Sequence, residues 1–348
     1  MPAVQSGSKV LVTGANGFVA VWLVRKLLQD GYYVRGTIRS PTKGDYLKKL
    51  FRAFEDRLEL VVIPDFLKDG AFDDAVKDVD AIEHTASPYT IAIDDPADVI
   101  EPAVKGTLGV LHSVLKHGNK VKRVVITSST GAVFHPVDKH TVFTENDWNY
   151  PAIDEVKAKG KDAPGFSKYF ASKTMAERAA FDFYDRIKTS VDWDMITIEP
   201  PYIFGPIMNE VSDVSSANTS LIELYHTLLK SAKTPDELKT MGHAWIDVRD
   251  VALAHVRAIQ RPEAEGRVII SAGSFIWQEI VNVARAIDPH PYPTAAFAPG
   301  NSSFRAKKED YFVNYDTSKA ENVLSMTRYI TLEESIKDTL EDFKLRGW

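Results

Sequence analysis

Short apolar runs alternate with amphipathic stretches along the first half of the chain. Val10-Leu-Val12 is a strand-like run, followed by a Gly-rich turn and by Val19, Leu23, Val24, Leu27 and Leu28, whose spacing predicts a helix ended at Gly31. β-rich runs follow at Tyr33–Ile38 and Leu58–Val62, with helical composition over Asp45–Phe54 between them. The alternation continues through Ala81–His84, a helical Val99–Lys116 and an apolar Arg123–Thr127. A helix over Lys168–Ile187 then leads to a strand at Asp194–Ile198, which Pro200-Pro201 stops. Short continuous apolar strands separated by helices predict a parallel sheet covered on both faces, with right-handed crossovers.

Beyond Pro201 the elements become shorter and more mixed, and the Pro-rich stretch Asp288–Pro299 reads as a long loop. A second loop is expected in the Lys- and Gly-rich run Glu155–Gly165. The expected organisation is a sheet domain over 8–198 plus about 242–272. A smaller mixed α/β domain, over about 199–241 and 273–348, covers the substrate.

The first strand-to-helix junction reads Gly14-Ala-Asn-Gly17-Phe-Val-Ala20, a G-x-x-G-x-x-A pattern. Gly14 permits a tight turn, Gly17 a close approach of pyrophosphate to backbone, and Ala20 close packing of helix on strand. The helix start offers N–H groups and partial positive charge to phosphates. With the strand order, this makes the fold class α/β, a Rossmann-type doubly wound parallel sheet with a smaller mixed domain.

An acidic residue at the tip of the second strand would select NAD by binding the ribose 2′-hydroxyl. This chain has Arg39-Ser40 and then Lys43, a pair suited to clamping a 2′-phosphate, so NADPH is the expected cofactor. Asp65, after the third strand, is placed for the adenine amino group or for a turn, with Phe66 beside it. Thr85-Ala86-Ser87, after the fourth strand, lies at the sheet edge where ligands bind in such folds.

Tyr169 and Lys173 stand four residues apart, on one face of a helix. A free tyrosine titrates near ~10, and a neighbouring ammonium lowers that value by favouring phenolate. Ser128-Ser129 follows the strand ending at Thr127 on the same edge, where a hydroxyl can hold a substrate oxygen while Tyr169 gives it a proton.

Thr13-Gly-Ala-Asn-Gly-Phe-Val19, Thr127-Ser-Ser129, Tyr169-x-x-x-Lys173 and Pro200-Pro-Tyr-Ile-Phe-Gly-Pro206 together resemble the extended short-chain dehydrogenases. Within these the chain is most similar to the dihydroflavonol reductase-like branch, which includes fungal aldehyde, methylglyoxal and ketone reductases. The likeness runs nearly to the end, through Trp245–Asp250 and Leu332–Asp338. It implies Ser129 as the substrate-orienting serine, with Ser128 as the alternative, Tyr169 as general acid, and Lys173 as ribose ligand and tyrosine tuner. It also implies that Gly14, Asn16, Gly17, Phe18, Val19, Thr127, Pro200, Tyr202 and Ile203 contact the nucleotide. Tyr89, Phe134, Phe166 and Tyr202 are expected to line the substrate pocket. One departure stands out: many members carry an asparagine on the fourth helix before a Gly-Thr pair, and this chain has none before Gly106-Thr107.

Composition narrows the partners. The chain has 348 residues, 44% hydrophobic and 26% charged, enough for a sizeable core. A net charge of −6 describes no broad basic surface, so neither nucleic acid nor an anionic membrane is expected. There is no cysteine, which excludes disulfides and thiolate chemistry. No paired histidine motif occurs, so no metal is expected, and no G-x-S-x-G surrounds Ser129. Met1–Ser8 lacks an apolar signal stretch, and no run reaches the roughly 18 apolar residues of a span, so a cytoplasmic location is expected.

The expected function is NADPH-dependent reduction of aldehydes and ketones, including keto esters and aryl ketones, by a monomer or homodimer. The competing readings are an NAD-dependent nucleotide-sugar epimerase or dehydratase, and a regulator that binds NADPH without turnover.

Overall fold

The computed structural model describes residues 4–87, 93–293 and 296–348. The chain begins with β1 (Lys9–Thr13), α1 (Phe18–Gln29), β2 (Tyr33–Ile38), α2 (Pro41–Leu50), β3 (Leu58–Val62) and β4 (Ala81–His84). It continues with α3 (Ala97–His117), β5 (Arg123–Thr127), β6 (Thr141–Phe143), α4 (Tyr150–Lys159), α5 (Gly165–Ile187) and β7 (Asp194–Glu199). The second half holds β8 (Tyr202–Phe204), α6 (Thr219–Leu229), α7 (Pro235–Thr240), β9 (Gly242–Asp247), α8 (Val248–Gln260) and β10 (Gly266–Ile269). It ends with β11 (Gly273–Ile276), α9 (Trp277–Ala286), β12 (Val313–Tyr315), α10 (Ser318–Leu324) and α11 (Leu332–Leu345).

Seven strands form one sheet in the order β10-β7-β5-β4-β1-β2-β3, and every neighbouring pair is parallel. The side-chain period of two divides each strand between two cores. Val10, Val12, Ala81, Val125, Ile196 and Ile198 face the layer that includes α1 and α8. Leu11, Ile82, Val124, Ile126 and Met195 face the layer that includes α3 and α5. Burial on both faces explains why these strands read as unbroken apolar runs.

The sheet order reverses between β1 and β4: from β1 the chain builds outward to β3, then returns to place β4 on the other side. Such a switch point opens a crevice at the carboxyl ends of the strands. Over it sits a smaller unit with its own core, which includes Phe204, Leu221, Leu224, Trp245, Phe275, Trp277, Ile280, Ile336 and Phe343. Its sheet has the order β11-β9-β8. Of the stretch 242–272 grouped with the nucleotide domain, α8 and β10 pack on the large sheet, while Gly242–Asp247 pairs in the small one.

The run Glu155–Gly165 is not a loop throughout, because α4 extends to Lys159. Asn149 caps it by accepting the Ala152 N–H at 3.1 Å, Pro151 sits in its first turn, and Ala152 and Val156 bury its inner face. Gly160, at φ +55°, then ends it.

Candidate active site

Four strand ends converge on one cavity of about 600 Å³, within the range of small-molecule and cofactor sites. It is lined by the residues after β1 (Gly17–Ala20), β4 (Thr85, Ser87), β5 (Ser128–Gly131) and β7 (Pro200, Pro201). Tyr169 and Lys173 enter from α5, and Tyr202, Ile203 and His243 from the smaller unit.

The phosphate loop is shaped by backbone constraints. Gly14 has φ +63°, and a Cβ there would stand 3.1 Å from the Ala86 Cβ, so only glycine fits without strain. Its N–H donates to Thr37 Oγ1 at 3.0 Å, and Gly17 N donates to Gly14 O at 2.9 Å, with Asn16 in the turn between. Gly17 caps α1 without a side-chain hydrogen bond, and no acidic residue occupies the first turn. The α1 start therefore presents N–H groups and its dipole to an anion without competition. Below the loop, Thr13 Oγ1 accepts the N–H groups of Thr85 and Ala86, each at 3.1 Å. Its own hydrogen is then directed at His84 Nδ1, 2.9 Å away. Burial pushes the His84 ring down to about 4, so it is neutral and accepts this bond.

Arg39 is exposed at the end of β2, its guanidinium 5.6 Å from the centre of the Phe66 ring. Phe66 in turn fills the space left by Gly106 on α3, where a Cβ would stand 2.7 Å from Phe66 Cε2. Lys43 is exposed and pairs with Glu210 at 3.0 Å, a contact worth little in water. Asp65 Oδ1 accepts the Leu67 N–H at 2.9 Å, forming a turn. The loop, the helix start and the cation at the strand tip form a fitting cradle for a dinucleotide with a 2′-phosphate.

The two serines differ. Ser128 is buried, and its hydroxyl donates to the Glu177 carboxylate at 2.5 Å. Ser129 is half-buried against the cavity, its Oγ accepting the Gly131 N–H at 3.0 Å and keeping its own hydrogen for another acceptor. Lys173 Nζ lies 5.8 Å from the Tyr169 ring centre and donates to Ser87 Oγ at 3.2 Å. Burial brings the Lys173 ammonium down to about 8, while the charge on Glu177 acts to raise it. Beside it a small cavity of about 20 Å³, with room for a water, is bounded by Thr107, His84, Ala86, Ser87, Thr127, Ser128 and Glu177. It lies along the stretch of α3 that lacks the asparagine.

Much of the cavity wall is aromatic. Phe134 and Phe166 line it, together with Phe170, Pro136 and His243, which the sequence reading did not single out. Phe134 meets Phe170 and His243 edge to face at 5.1 and 4.6 Å, and Tyr202 lies 5.3 Å from His243. Burial holds His243 down at about 4, a neutral ring in this wall. Tyr89 lies outside the described residues. Among the described residues no group of His, Asp and Glu is arranged to hold a metal ion, and no helix is long and apolar enough to cross a membrane.

The whole chain, too, resembles known proteins. Residues 10–284 match the model of the NAD dependent epimerase/dehydratase family. The chain belongs to that family. Within this family it is 37% identical over 325 residues to a ketoreductase of Aspergillus niger, covering 92% of this chain and 93% of that protein. It is 34% identical to an NADPH-dependent methylglyoxal reductase of Saccharomyces cerevisiae, covering 95% of this chain and 96% of that one. A solved structure of yeast methylglyoxal/isovaleraldehyde reductase complexed with NADPH superposes with a TM-score of 0.85 at 32% identity, over 97% of this chain and 99% of that one. The resemblance to extended short-chain dehydrogenases of the dihydroflavonol reductase-like branch is borne out by these relatives.

Proposed function

We propose that this protein is an NADPH-dependent reductase of aldehydes and ketones, acting in the cytosol on small-molecule carbonyls. The single observation that supports this most is the convergence of Ser129, Tyr169, Lys173 and the Gly14–Gly17 loop on one cavity at the switch point of the sheet. When bound, NADPH supplies the hydride that the carbonyl carbon receives. The Gly14–Gly17 backbone and the α1 start hold its pyrophosphate, and Arg39 and Lys43 its 2′-phosphate. The family description names NAD, but the β2 tip of this chain has a guanidinium where a carboxylate would be needed.

Ser129 orients the carbonyl oxygen by donating its free hydrogen to it. Tyr169 donates the proton that the oxygen needs as charge develops there. Lys173 keeps that proton labile: its ammonium, close to the Tyr169 ring, favours the phenolate left behind. Tyr202, Phe134, Phe166 and His243 line the same cavity and offer rings to an apolar or aryl substituent. Keto esters and aryl ketones suit this wall better than polyhydroxylated nucleotide sugars do.

The test is NADPH consumption by the purified protein over a panel of aldehydes, α-keto esters and aryl ketones, with chiral analysis of the alcohols. Turnover of at least one of these classes with a preference for NADPH is expected. No turnover across the panel would contradict the proposal.

A further inference from the structure

Behind Lys173 lies a buried charge cluster that the reduction chemistry does not use directly. Glu177 stands one helical turn beyond Lys173 on α5, as Lys173 stands one turn beyond Tyr169. Its carboxylate accepts from Ser128 Oγ at 2.5 Å, from Arg267 Nε on β10 at 2.5 Å, and more distantly from Thr197 Oγ1 at 3.4 Å. Arg267 is itself held by the main-chain oxygens of Glu145 and Asp147 and lies 3.7 Å from the centre of the Trp148 ring. Contacts to β5, β7 and β10 thus fix a carboxylate whose position the helix alone would leave to a flexible side chain.

We infer that Glu177 is a positioning residue for proton delivery: its anchored carboxylate keeps the Lys173 ammonium charged inside the protein and thereby keeps Tyr169 acidic. The inference rests on the reading of Tyr169 and Lys173 given above. The other groups facing Lys173 do not perform this task. His84, below it on β4, is neutral, and Ser87, Thr127, Ser128 and Thr107 carry no charge. Glu199 on β7 is pushed well above the ordinary carboxylate range by burial and by the charge of Glu177, which disfavours a second anion beside the first. Arg267 is cationic and works against the lysine charge. Glu177 is the anion that offsets the burial pulling Lys173 down to about 8. Lys173 and Glu177 both border the small cavity of about 20 Å³, so the two side chains face one shared space.

The experiment is a direct titration of Lys173 in the whole protein by NMR of ¹³Cε-labelled lysine, its signal assigned by loss in Lys173→Arg. The pH profile of kcat/KM with NADPH is measured beside it. In Glu177→Gln the Lys173 midpoint is expected to fall by about one unit. The alkaline limb of the profile should move to lower pH by the same amount, and Glu177→Asp should restore most of both. Thr197→Val trims the same cluster but keeps its charge, and should leave the midpoint in place. Should Glu177→Gln alone fail to fold because Arg267 is stranded, the paired variant E177Q/R267M removes both charges, and because the opposing cation goes with the anion a smaller fall of the midpoint is expected.

A purely structural Glu177 would lower melting temperature and rate alike at every pH, with no shift in either titration; that result overturns the inference and leaves the role of Tyr169 untouched. A shifted midpoint with an unmoved alkaline limb, together with full turnover in Tyr169→Phe, would instead overturn the reading on which the inference rests.

Discussion

The hydroxyl of Ser128 is turned inward onto the Glu177 carboxylate at 2.5 Å, which removes it from competition for a substrate oxygen. Its neighbour Ser129 faces the cavity with its hydrogen available. Ser129→Ala should therefore lower kcat by roughly 100-fold, the usual cost of losing one preorganised donor to a developing oxyanion. Ser128→Ala should act chiefly on stability, by about 2 kcal/mol for a buried hydrogen bond to a charged group. Steady-state kinetics and urea unfolding of the two variants check this; the opposite pattern would reassign the serine.

The proposed function assigns cofactor choice to the β2 tip. Replacing Arg39 by Ala should raise the KM for NADPH by roughly 10- to 100-fold, as expected for losing charge-assisted hydrogen bonds to a phosphate, and leave that for NADH nearly unchanged. Lys43→Ala should have a smaller effect, since Lys43 is exposed and shared with Glu210. Equal effects of Arg39→Ala on both cofactors would refute the 2′-phosphate role.

Acid stability should depend on His84. Its folded value is held at about 4 against an ordinary 6.5 because the ring is buried, so the unfolded chain takes up a proton first as pH falls. The stabilisation is complete above pH 6.5 and is lost as pH falls toward 4, amounting to at most ~3 kcal/mol. Urea unfolding at pH 7.5 and pH 5 should show a smaller pH-induced loss in His84→Gln than in the wild type. An identical loss in both would show that His84 contributes nothing to it.

The parts of the site visible in the sequence are those that local geometry fixes. Gly14 and Gly17 lie within one turn, Tyr169 and Lys173 on adjacent turns of one helix, and Pro200-Pro201 directly after a strand, so spacing alone brings each group together. The parts not visible depend on contacts across the chain. His243 reads as an ordinary strand residue, and only the pairing of β9 with β8 brings it to the cavity beside Tyr202. Arg267 is 90 positions from Glu177, and nothing in either neighbourhood announces the pair. Phe170 follows Tyr169 directly but lies on another face of the helix, where it packs on Phe134. The Lys and Gly content of the stretch from Glu155 to Gly165 reads as a loop, whereas Asn149, Pro151 and Val156, most of them outside it, supply the cap, first turn and buried face of α4.

Gly106 shows the same limit from the other side. In the sequence it marks only the place where an asparagine is missing; in the fold it admits the Phe66 ring that carries the Arg39 guanidinium. Gly106→Ala should therefore weaken NADPH binding through a displaced Phe66, measurable as a raised dissociation constant in a fluorescence titration. Unchanged affinity would separate Phe66 from the nucleotide site.

The central claim is that Tyr169 delivers the proton. Single-turnover reduction of an aryl ketone by the NADPH-loaded Tyr169→Phe variant tests it most directly, with cofactor affinity measured in parallel. Hydride transfer slowed by roughly 100- to 10,000-fold at near-normal NADPH affinity is the result this account predicts. Hydride transfer at the wild-type rate would contradict it.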